Sequence, residues 1–488
     1  MEIWVVAIWV AAALGCLKWV LKRANGWLYE SHLGEMRRSL PPGDLGWPFI
    51  GNMWSFLRAF KSGDPEFFMR NIATRYGDGG VYKAFMFAKP SVLVTSAEAC
   101  KRVLTDDKAF KPGWPSSAVE LIGKKSFVTM SYEDHKRLRR LTAAPVNGHE
   151  ALSLYLHYIE DNFKSALEQW CTMGEFEFLT HLRKITFRII MYIFLSSESH
   201  SVVEALETEY TALNHGMRAM AINLPGFAYH KALKARKNLV CVLQIVVNAR
   251  REEKKEKRRS KDDDMLDRLL DVEDENSRKM SNEEIIDLLL MYLNAGHESF
   301  AHVTMWATVF LQEHPQCFRK AKQEQLEIVK RRPSTQTGLS LKEVREMDYL
   351  SKVIDETLRL INISLTVFRE AKSDVNINGY VIPRGWRILV WFRSLHFDPK
   401  IFPNPKEFNP SRWDNHTAKA GTFLPFGAGS RLCPGNDLVK LEISIFLHHF
   451  LLNYQLERLN PQSSIMYLPH SRPKDNCLAR IKKIQNHV

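Results

Sequence analysis

The chain has 488 residues, of which 45% are hydrophobic, 25% charged and 11% aromatic. Those fractions exclude a disordered, collagen-like or multi-span membrane protein and predict a globular body with a large core. Lys and Arg number 68 against 55 Asp and Glu, a formal net charge of +13, which suits nucleic acid, anionic lipid or an acidic partner protein. Seven cysteines without a CxxC pair argue against a disulfide framework and indicate a reducing compartment.

The N-terminus is apolar over residues 3–21 except for Lys18. At ~1.5 Å per residue, a helix of this length comes close to the ~30 Å thickness of a bilayer's hydrocarbon core. A cleaved signal peptide fits less well, because Glu2 precedes the apolar run and Lys22 and Arg23 follow it. Bases on the far side place that side in the cytoplasm. We predict one uncleaved transmembrane anchor over residues 1–23, with the rest of the chain cytosolic.

Residues 24–52 contain a segment rich in proline and glycine, from Leu40-Pro41-Pro42-Gly43 to Pro48. Such a segment forms neither helix nor interior strand. It predicts a stiff, ordered linker between the anchor and a body over residues 53–488, and Trp47, Phe49 and Ile50 suggest that it packs against that body. A generic linker is the alternative.

Strand signals are few in the body. Residues 81–87 and 91–95 predict one hairpin, and residues 375–390 predict another that turns at Asn378-Gly379, a strong signal for a type I′ turn. Most of the rest has helical patterning, so the predicted fold class is mainly α with small β-sheets. We see no repeat of 20–50 residues, which makes solenoids and propellers unsuitable descriptions.

Residues 250–259 hold seven bases and three acids and are followed by Asp262-Asp263-Asp264. We interpret this run as a solvated loop or helix end. A nucleic-acid site would interleave aromatic residues, and here there are none, so no nucleic-acid partner is expected.

A long helix follows, with a capping box at Ser281 and Glu284 and an apolar pattern that continues until Pro315 ends it. Its middle, residues 294–299, reads Asn-Ala-Gly-His-Glu-Ser. A glycine costs a helix about 1 kcal/mol, and a serine can bond back to a carbonyl and bend it. We predict a locally opened helix that lines a site, with a water-exposed face as the weaker alternative.

Residues 426–435, FGAGSRLCPG, precede another helix. A dinucleotide loop is excluded because no GxGxxG is completed. Cys433 stands at the helix N-terminus, where the dipole favours a thiolate. Zinc and iron–sulfur sites need about four ligands, and no second Cys or His is near. Cys433 is then a nucleophile, or the single soft ligand of a metal held mainly by something else, as haem iron is.

Two weaker patterns accompany this motif. Glu356 and Arg359 are three residues apart on one helical face, a spacing common in exposed ion pairs. Residues 135–140, HKRLRR, form a basic helical turn that is normally solvated but also suits paired propionates or phosphates.

Together, FxxGxRxCxG, the Glu-x-x-Arg helix and the long helix with Ala-Gly-x-Glu-Ser resemble a microsomal cytochrome P-450 over essentially the whole chain. The resemblance implies that Cys433 is the axial haem thiolate in a loop shaped by Phe426, Gly429 and Gly435. It implies that Glu356 and Arg359 lock to Arg412, and that Glu298 and Ser299 are the acid–alcohol pair that delivers protons to dioxygen. The residues it implies for the haem propionates are His135, Arg139, Arg369 and Arg431.

The chain departs from the family at three positions. His135 stands where Trp is frequent, which replaces an indole donor with an imidazole. Ser299 stands where Thr is usual and so lacks the methyl group that fixes the rotamer. Phe300 follows where many relatives have a small residue, and we expect it to narrow the pocket.

Within this superfamily the chain resembles plant ent-kaurenoic acid oxidases, whose sister group oxidises triterpenes. Segments such as NAGHES, SLTVFREAK and LHHFLLNY carry the likeness. It implies a haem b monooxygenase at the endoplasmic reticulum membrane that oxidises ent-kaurenoic acid, a small apolar terpenoid acid, in three steps of gibberellin biosynthesis. The implied electron donor is NADPH-cytochrome P-450 reductase, whose acidic docking face would suit a charge of +13.

Two other classes stay open. A haem-thiolate isomerase or dehydratase would share Cys433 and Glu-x-x-Arg but would not need the pair Glu298 and Ser299. A non-catalytic haem-binding membrane protein would have no reason for polar residues inside a buried helix.

By the resemblance, the substrate pocket is lined by residues 114–122, 222–227, 365–368 and 466–468 and by the long helix near Leu293.

Overall fold

The computed structural model describes residues 2–196, 200–217, 219–256, 264–415 and 420–484. Helices dominate it, as the patterning predicted. The helices are α1 (Glu2–Glu30), α2 (Met53–Lys61), α3 (Glu66–Tyr76), α4 (Ala97–Thr105), α5 (Ser116–Ile122), α6 (Tyr132–Asn147), α7 (His149–Thr172), α8 (Phe178–Leu195), α9 (His200–Met217), α10 (Ala228–Lys255), α11 (Met265–Asp271), α12 (Asn282–Glu313), α13 (Pro315–Arg331), α14 (Leu341–Arg345), α15 (Asp348–Ile361), α16 (Phe392–His396), α17 (Arg412–Asn415) and α18 (Asn436–Asn453), with short 3-10 helices at Ser31–Ser39 and Gly429–Arg431.

The strands form small sheets. One sheet has five strands in the order β1-β2-β8-β5-β3, one has three in the order β4-β12-β9, and the pairs β6-β7 and β10-β11 stand apart. The strands are β1 (Val81–Met86), β2 (Lys89–Val94), β3 (Phe110–Pro112), β4 (Phe176–Glu177), β5 (Thr366–Ala371), β6 (Val375–Ile377), β7 (Tyr380–Ile382), β8 (Arg387–Trp391), β9 (Tyr454–Arg458), β10 (Ile465–Met466), β11 (Arg472–Pro473) and β12 (Leu478–Lys483).

Both predicted hairpins form, but the second is shorter than expected. β1 and β2 pair antiparallel, as do β6 and β7, which turn at Asn378 and Gly379 with φ of 51° and 86°. β8, predicted to lie within the second hairpin, instead pairs parallel with β2 and antiparallel with β5. All five of its residues are buried, and a strand buried on both faces belongs in the middle of a sheet.

α1 continues to Glu30, seven residues beyond the predicted end of the anchor. Its last turns are bonded to the linker and to β1. Asn25 Nδ2 donates to the carbonyls of Leu45 at 2.8 Å and Trp47 at 2.7 Å, and the buried Glu30 pairs with Lys83 Nζ at 2.8 Å. Among the residues that the structure describes, no helix is long and apolar enough to cross a membrane.

α12 is 32 residues long and begins with the predicted capping box of Ser281 and Glu284. The predicted local opening is wrong, because the helix is continuous through residues 294–299. Its polar side chains find partners on neighbouring helices: Tyr210 OH of α9 donates to Asn294 Oδ1 at 2.9 Å, and Arg183 Nε of α8 donates to Glu298 Oε2 at 3.2 Å. With these groups satisfied, the helix does not need water or a bend at this point.

The basic run after residue 250 is only partly as predicted. Arg250 lies on α10 with a side chain that is 2% exposed, and its Nη1 donates to Asp264 at 2.8 Å and Asp267 at 3.1 Å. The interpretation of a solvated run is therefore wrong for Arg250 and Asp264. Residues 257–263 lie outside the described residues.

The largest core cluster surrounds α12, which packs against α8, α15 and α18. Most of α12 is buried, including the stretch from Glu284 to Leu293. Apolar side chains cover most of its surface, together with buried polar residues such as Asp287 and His302. A short stretch at Ala295, Gly296 and Ser299 opens onto a cavity.

Candidate active site

The cavity lies between α12 and the loop that precedes α18 and has a volume of about 400 Å³. Ala295, Gly296, Ser299 and Val303 of α12 line one wall. The loop of residues 425–435, including Cys433, lines the opposite wall. A cavity of this size is within the range of small-molecule and cofactor sites.

Some predicted pocket segments contribute to this cavity and others do not. Trp114, Val367 and, next to Leu293 on α12, Met291 and Tyr292 line it, whereas no residue of 222–227 or 466–468 does. The expectation that Phe300 narrows the pocket is wrong. Its fully buried ring stacks against Phe163 of α7 with centroids 5.7 Å apart, on the far side of α12.

The Cys433 loop depends on a glycine at position 429. Gly429 has a φ of 73°, and a Cβ atom there would lie 2.5 Å from the carbonyl oxygen of Leu104. No other residue fits such an approach without displacing the backbone. The loop then folds back so that the Cys433 N–H donates to Phe426 O at 2.9 Å, and the carbonyl of Gly435 begins α18 by accepting from Val439 N at 2.9 Å.

Cys433 is a free cysteine that lines the cavity. Burial raises the pKa of its thiol, against the opposing effects of the Gly435 N–H and Arg139. Burial therefore disfavours the charged thiolate at this position. A metal ion bound to it would supply the positive charge that stabilises the thiolate.

One end of the cavity is strongly basic. Arg139, Arg369, Arg431 and His135 all line it. Arg431 Nη1 and Nη2 donate to the carbonyls of Phe127 at 2.8 Å and of Met130 at 3.1 Å. Burial and the nearby Arg431 lower the pKa of Arg369 to about 10, although Asp107 opposes the shift. Burial, followed by Arg431, Arg139 and Arg369, lowers the pKa of His135 to about 3, so its imidazole is neutral at pH 7.

These residues fit a haem. Burial and then the positive charge of Arg431 lower the pKa of Arg369, so these two guanidinium groups lie close enough to repel each other. Two carboxylates would relieve this repulsion with charge-assisted hydrogen bonds. A haem presents two propionates together with an iron that accepts a single cysteine sulfur, and Cys433 lines the same cavity as the guanidiniums. The four residues that the sequence implied for the propionates therefore lie together.

Ser299 and Glu298 have different surroundings although they are adjacent. Ser299 lines the cavity. The Glu298 carboxylate is 9% exposed and accepts from Arg183 Nε at 3.2 Å and from Asn214 Nδ2 at 3.3 Å. His302 Nδ1 lies 3.6 Å from the same carboxylate, and burial holds the pKa of His302 well below its ordinary value. Sequence reasoning missed Arg183, since only helical amphipathicity marks its position.

Glu356, Arg359 and Arg412 form one buried cluster. Arg359 donates twice to the Glu356 carboxylate, at 2.9 Å and 2.8 Å, and Arg412 Nε donates to Glu356 Oε1 at 2.9 Å. The side chains of Glu356 and Arg359 are fully buried. Trp413 was missed, although it follows Arg412: its indole N–H donates to Glu356 Oε2 at 3.1 Å. Arg359 also donates to the main-chain carbonyls of His396, Pro405 and Glu407, so the cluster ties α15 to the segment after α16.

A second acid near the cavity was also missed. Glu442 of α18 lines the cavity and its Oε1 has no hydrogen-bond partner among the described residues. Burial raises its pKa to about 8, so this carboxyl is mostly protonated at pH 7. Leu438 and Val439, four and three residues before it on α18, also line the cavity, so helical spacing in the sequence indicates that the three side chains share one face.

Comparison with known proteins bears directly on this geometry. A family model described as cytochrome P450, or P-450, matches residues 41–477. The chain belongs to the cytochrome P-450 family. Members of this family bind haem and receive electrons from NADPH through a reductase, and this P-450 is a monooxygenase.

Similar proteins give the family match more detail. The chain is 65% identical to ent-kaurenoic acid oxidase 1 of Arabidopsis thaliana, over 98% of each chain. It is 55% identical to ent-kaurenoic acid oxidase of rice over 99% of this chain and 97% of that one, and 50% identical to a 7,8-epoxymelianol synthase of Ailanthus altissima over 95% and 94%. A solved cyanobacterial P-450 with retinoic acid bound is 26% identical, with a TM-score of 0.81, over 91% of this chain and 99% of that chain.

Proposed function

We propose that this P-450 oxidises ent-kaurenoic acid in three successive steps, on ring B and with ring contraction, toward the first gibberellin. The observation that carries the proposal is the 65% identity to an Arabidopsis ent-kaurenoic acid oxidase over 98% of both chains. The rice oxidase of the same name, at 55% identity, supports it.

The cavity suits a rigid, largely hydrocarbon acid. Such a ligand needs an apolar pocket with few polar groups. The apolar side chains that line the cavity include Ile190, Ile193, Phe194, Met291, Ile363 and Val367. The solved cyanobacterial relative contains retinoic acid, another apolar carboxylic acid.

Cys433 is proposed as the protein ligand of the haem iron, with His135, Arg139, Arg369 and Arg431 as the groups that hold the propionates. When bound, a thiolate-ligated haem supplies the activation of dioxygen. Neutral His135 would donate one hydrogen bond from its ring N–H, and the three guanidinium groups would donate charge-assisted hydrogen bonds. Phe426, Gly429 and Gly435 hold the sulfur in the cavity wall, and the cluster of Glu356, Arg359 and Arg412 fixes the surrounding backbone.

We propose that Ser299 moves protons in the cavity and that Glu298 supports it from behind. Ser299 presents its hydroxyl on the cavity wall, and a hydroxyl can accept one proton while it donates another. Glu298 is ion-paired with Arg183, whose side chain is 24% exposed. The pair connects the inner face of α12 with the outside of α8 and so gives protons a route inward.

We propose that residues 1–23 anchor the protein in the endoplasmic reticulum membrane, that residues 24–52 form the linker, and that residues 53–488 form the cytoplasmic catalytic body. Apolar side chains on α1 support this, because Trp4 is 77% exposed and Leu14 is 61% exposed, and contact with lipid would cover them. NADPH-cytochrome P-450 reductase is the proposed electron donor, and an acidic docking face would complement the charge of +13.

The test uses membranes that contain the full chain, a cytochrome P-450 reductase, NADPH and oxygen. Ent-kaurenoic acid should be converted first to a hydroxylated product and then to ring-contracted products. Omission of NADPH or oxygen should abolish both, which separates a monooxygenase from an isomerase or dehydratase. If ent-kaurenoic acid is untouched while β-amyrin is oxidised, the diterpene proposal is wrong.

Triterpene oxidation is the second candidate. The resemblance to the sister group that oxidises triterpenes favours it, and the chain is also 50% identical to a 7,8-epoxymelianol synthase. The identity is lower than to the diterpenoid oxidases, so we place this function second. Direct competition of the two substrates in one assay would rank them by kcat/KM.

A further inference from the structure

Arg387 is a buried charge in the middle of the five-stranded sheet. It opens β8, between β2 and β5, and the residue is 5% exposed. Burial lowers the pKa of its guanidinium, and Glu370 on the neighbouring strand opposes the shift. Burying a guanidinium is costly unless its N–H groups are bonded. The bonds that it makes therefore show what the charge is used for.

Those bonds go to main-chain carbonyls of two separate segments. Arg387 Nε donates to Gly113 O at 2.8 Å. Its Nη1 donates to Phe87 O at 3.2 Å and to Met86 O at 3.4 Å. Phe87 is in the tight turn between β1 and β2 and has a φ of 53°. Arg387 thus joins this hairpin turn to the segment that follows β3.

The same guanidinium also lies near the ring of Phe368, which belongs to a group of packed aromatic side chains that extends to the cavity. Its Cζ lies 5.9 Å from the centroid of the Phe368 ring. Phe368 packs against Trp114 with centroids 5.1 Å apart and against Phe87 at 5.2 Å. Gly113 N donates to Phe368 O at 3.2 Å. Together these contacts surround Arg387 with the backbone next to Trp114 and with the side chain of Phe368.

Trp114 is the member of this group that reaches the cavity, together with Pro112 and Val367 from the flanking strands. The backbone at Gly113 lies close to β5, where a Cβ atom would be 2.3 Å from Arg369 O. The segment around Gly113 therefore cannot move closer to β5. It can move only away from β5, and the hydrogen bond from Arg387 Nε to Gly113 O opposes that movement.

We propose that Arg387 is a positioning residue for substrate specificity: it holds Trp114, with the Phe368 ring packed against it, as a fixed part of the cavity wall. This rests on the proposed function, because the wall is expected to contact the hydrocarbon part of the substrate. Arg387 itself does not line the cavity. It acts through Gly113 and the Phe368 ring, as groups behind a binding site act when they lock the side chains that contact the ligand.

The geometry needs arginine rather than a generic cation. A guanidinium presents donors in a planar fork and stacks on an aromatic face, and it can serve Gly113 and the hairpin turn together. A lysine ammonium would keep the charge but lose the fork and the stacking. A methionine would keep much of the stem's volume and leave the carbonyls without this donor.

The test compares Arg387→Met and Arg387→Lys with wild type and with Arg332→Met. Arg332 is a partly buried arginine that donates to Glu343 at 2.7 Å in the connection between α13 and α14, and it controls for a general loss of stability. Each full-length variant is assayed with a reductase, NADPH and ent-kaurenoic acid for KM, kcat and the ratio of released hydroxylated intermediate to ring-contracted product.

A second probe does not depend on the identity of the substrate. Binding of 4-phenylimidazole to the haem iron places a phenyl ring in the cavity and gives a dissociation constant from the optical spectrum. If wild type ignores ent-kaurenoic acid, the proposed function fails, and the 4-phenylimidazole constants of the variants still test Arg387.

In Arg387→Met we expect KM and the 4-phenylimidazole constant to rise about tenfold, which corresponds to ~1.4 kcal/mol. The released intermediate should increase, while the thiolate Soret band of the reduced carbonyl complex persists. Arg387→Lys should lie between Met and wild type. Unchanged constants and product ratio in Arg387→Met, or equal changes in Arg332→Met, would overturn the proposal. If Arg387→Met binds no haem, wild-type values in Arg387→Lys would overturn it instead.

Discussion

The Glu298 carboxylate accepts a hydrogen bond from Arg183 Nε at 3.2 Å, while the next residue, Ser299, lines the cavity. Successive residues on an α-helix point about 100° apart, so the two halves of the acid–alcohol pair face different neighbours. Arg183 is partly exposed, whereas Glu298 is nearly buried. The Glu298 carboxylate therefore connects α12 with the outside of α8, and of the two side chains only Ser299 lines the cavity.

Removal of the Ser299 hydroxyl or of the Glu298 charge should uncouple the reaction. In Ser299→Ala and Glu298→Gln, we expect haem spectra and substrate binding to stay close to wild type. Product formed per NADPH consumed should fall on the order of tenfold, with the difference released as peroxide, because a positioned proton donor is lost and water replaces it only in part. The measurement is the ratio of product, peroxide and NADPH consumption. Unchanged coupling in both variants would contradict the proton-delivery role.

Cys433→Ala and Cys433→His should abolish the strongly red-shifted Soret band that the reduced carbonyl complex of a thiolate haem shows. The physical reason is that no other cysteine lines the cavity among the described residues. Cys100→Ala, Cys171→Ala and Cys241→Ala serve as controls and should keep the band. Retention of the band in Cys433→Ala would refute the assignment.

The Glu356 cluster should be sensitive to loss of any buried charge. Glu356→Gln and Arg359→Met each remove one charge of a fully buried ion pair, and the loss of one partner of a buried pair costs about 3–5 kcal/mol. We expect a large fall in thermal midpoint and poor haem incorporation. Arg412→Lys should be milder, because the Arg412 side chain is 8% exposed and Lys keeps the charge. Thermal unfolding and haem content together measure this, and equal losses in all three variants would argue against the ranking.

The stability of the body should depend on pH through Glu160, which is far in sequence from the cavity motif. Burial raises the pKa of Glu160, but bonds from His449 and Lys164 and the Leu339 N–H lower it to about 2. A carboxyl whose pKa is depressed by folding stabilises the folded state above its ordinary pKa of 4.5, and the contribution disappears as pH falls toward about 2.

Glu160→Gln should therefore have a lower thermal midpoint than wild type at pH 7, and the gap should narrow at pH 4 and further at pH 3. The exposed Glu168 provides the control, since Glu168→Gln removes a weak pair with Lys483 at 3.7 Å and should change little at any pH. A gap that widens as pH falls would contradict the prediction.

Deletion of residues 1–23 should yield a body that binds haem, because Asn25 and Glu30 stay in place. Deletion of residues 1–30 should lower the thermal midpoint further, since Lys83 then loses the carboxylate 2.8 Å away and the carbonyls of Leu45 and Trp47 lose their donor. Hydrogen bonds to charged groups are worth ~1.5–3 kcal/mol. Glu30→Gln in the shorter deletion is the matched point variant. Equal midpoints for both deletions would show that the end of α1 does not support the body.

Patterns that are local in sequence predicted local structure well. The capping box at Ser281 and the turn at Asn378-Gly379 are both present, because the residues that cause them are within three positions of each other. The contact of Glu356 with Arg359 is equally local, because the two residues are three positions apart. The contact of Glu356 with Arg412 spans 56 positions and was expected only from the family resemblance.

The wrong predictions share a different cause, which is contact with residues distant in the sequence. α12 stays continuous at Asn294 because Tyr210 of α9 donates a hydrogen bond to it. Arg250 is buried because Asp264 and Asp267 form ion pairs with it. Those partners come from other helices or follow an intervening segment, so a helical pattern cannot show them. Arg387 was missed for the same reason, since its carbonyl partners are some 270 to 300 residues away.

Gly429 brings the backbone of the Cys433 loop into direct contact with the end of α4. With no side chain at this position, the loop backbone rests directly against Leu104 O at the end of α4, and Ser430 Oγ adds a hydrogen bond to Asp107 at 2.6 Å. A displacement of α4 is passed on to the loop, because no flexible side chain lies between them to absorb it. Lys101 and Arg102 on the same helix are exposed, so the position of the sulfur deep in the protein is tied to a helix that solvent and other molecules can reach.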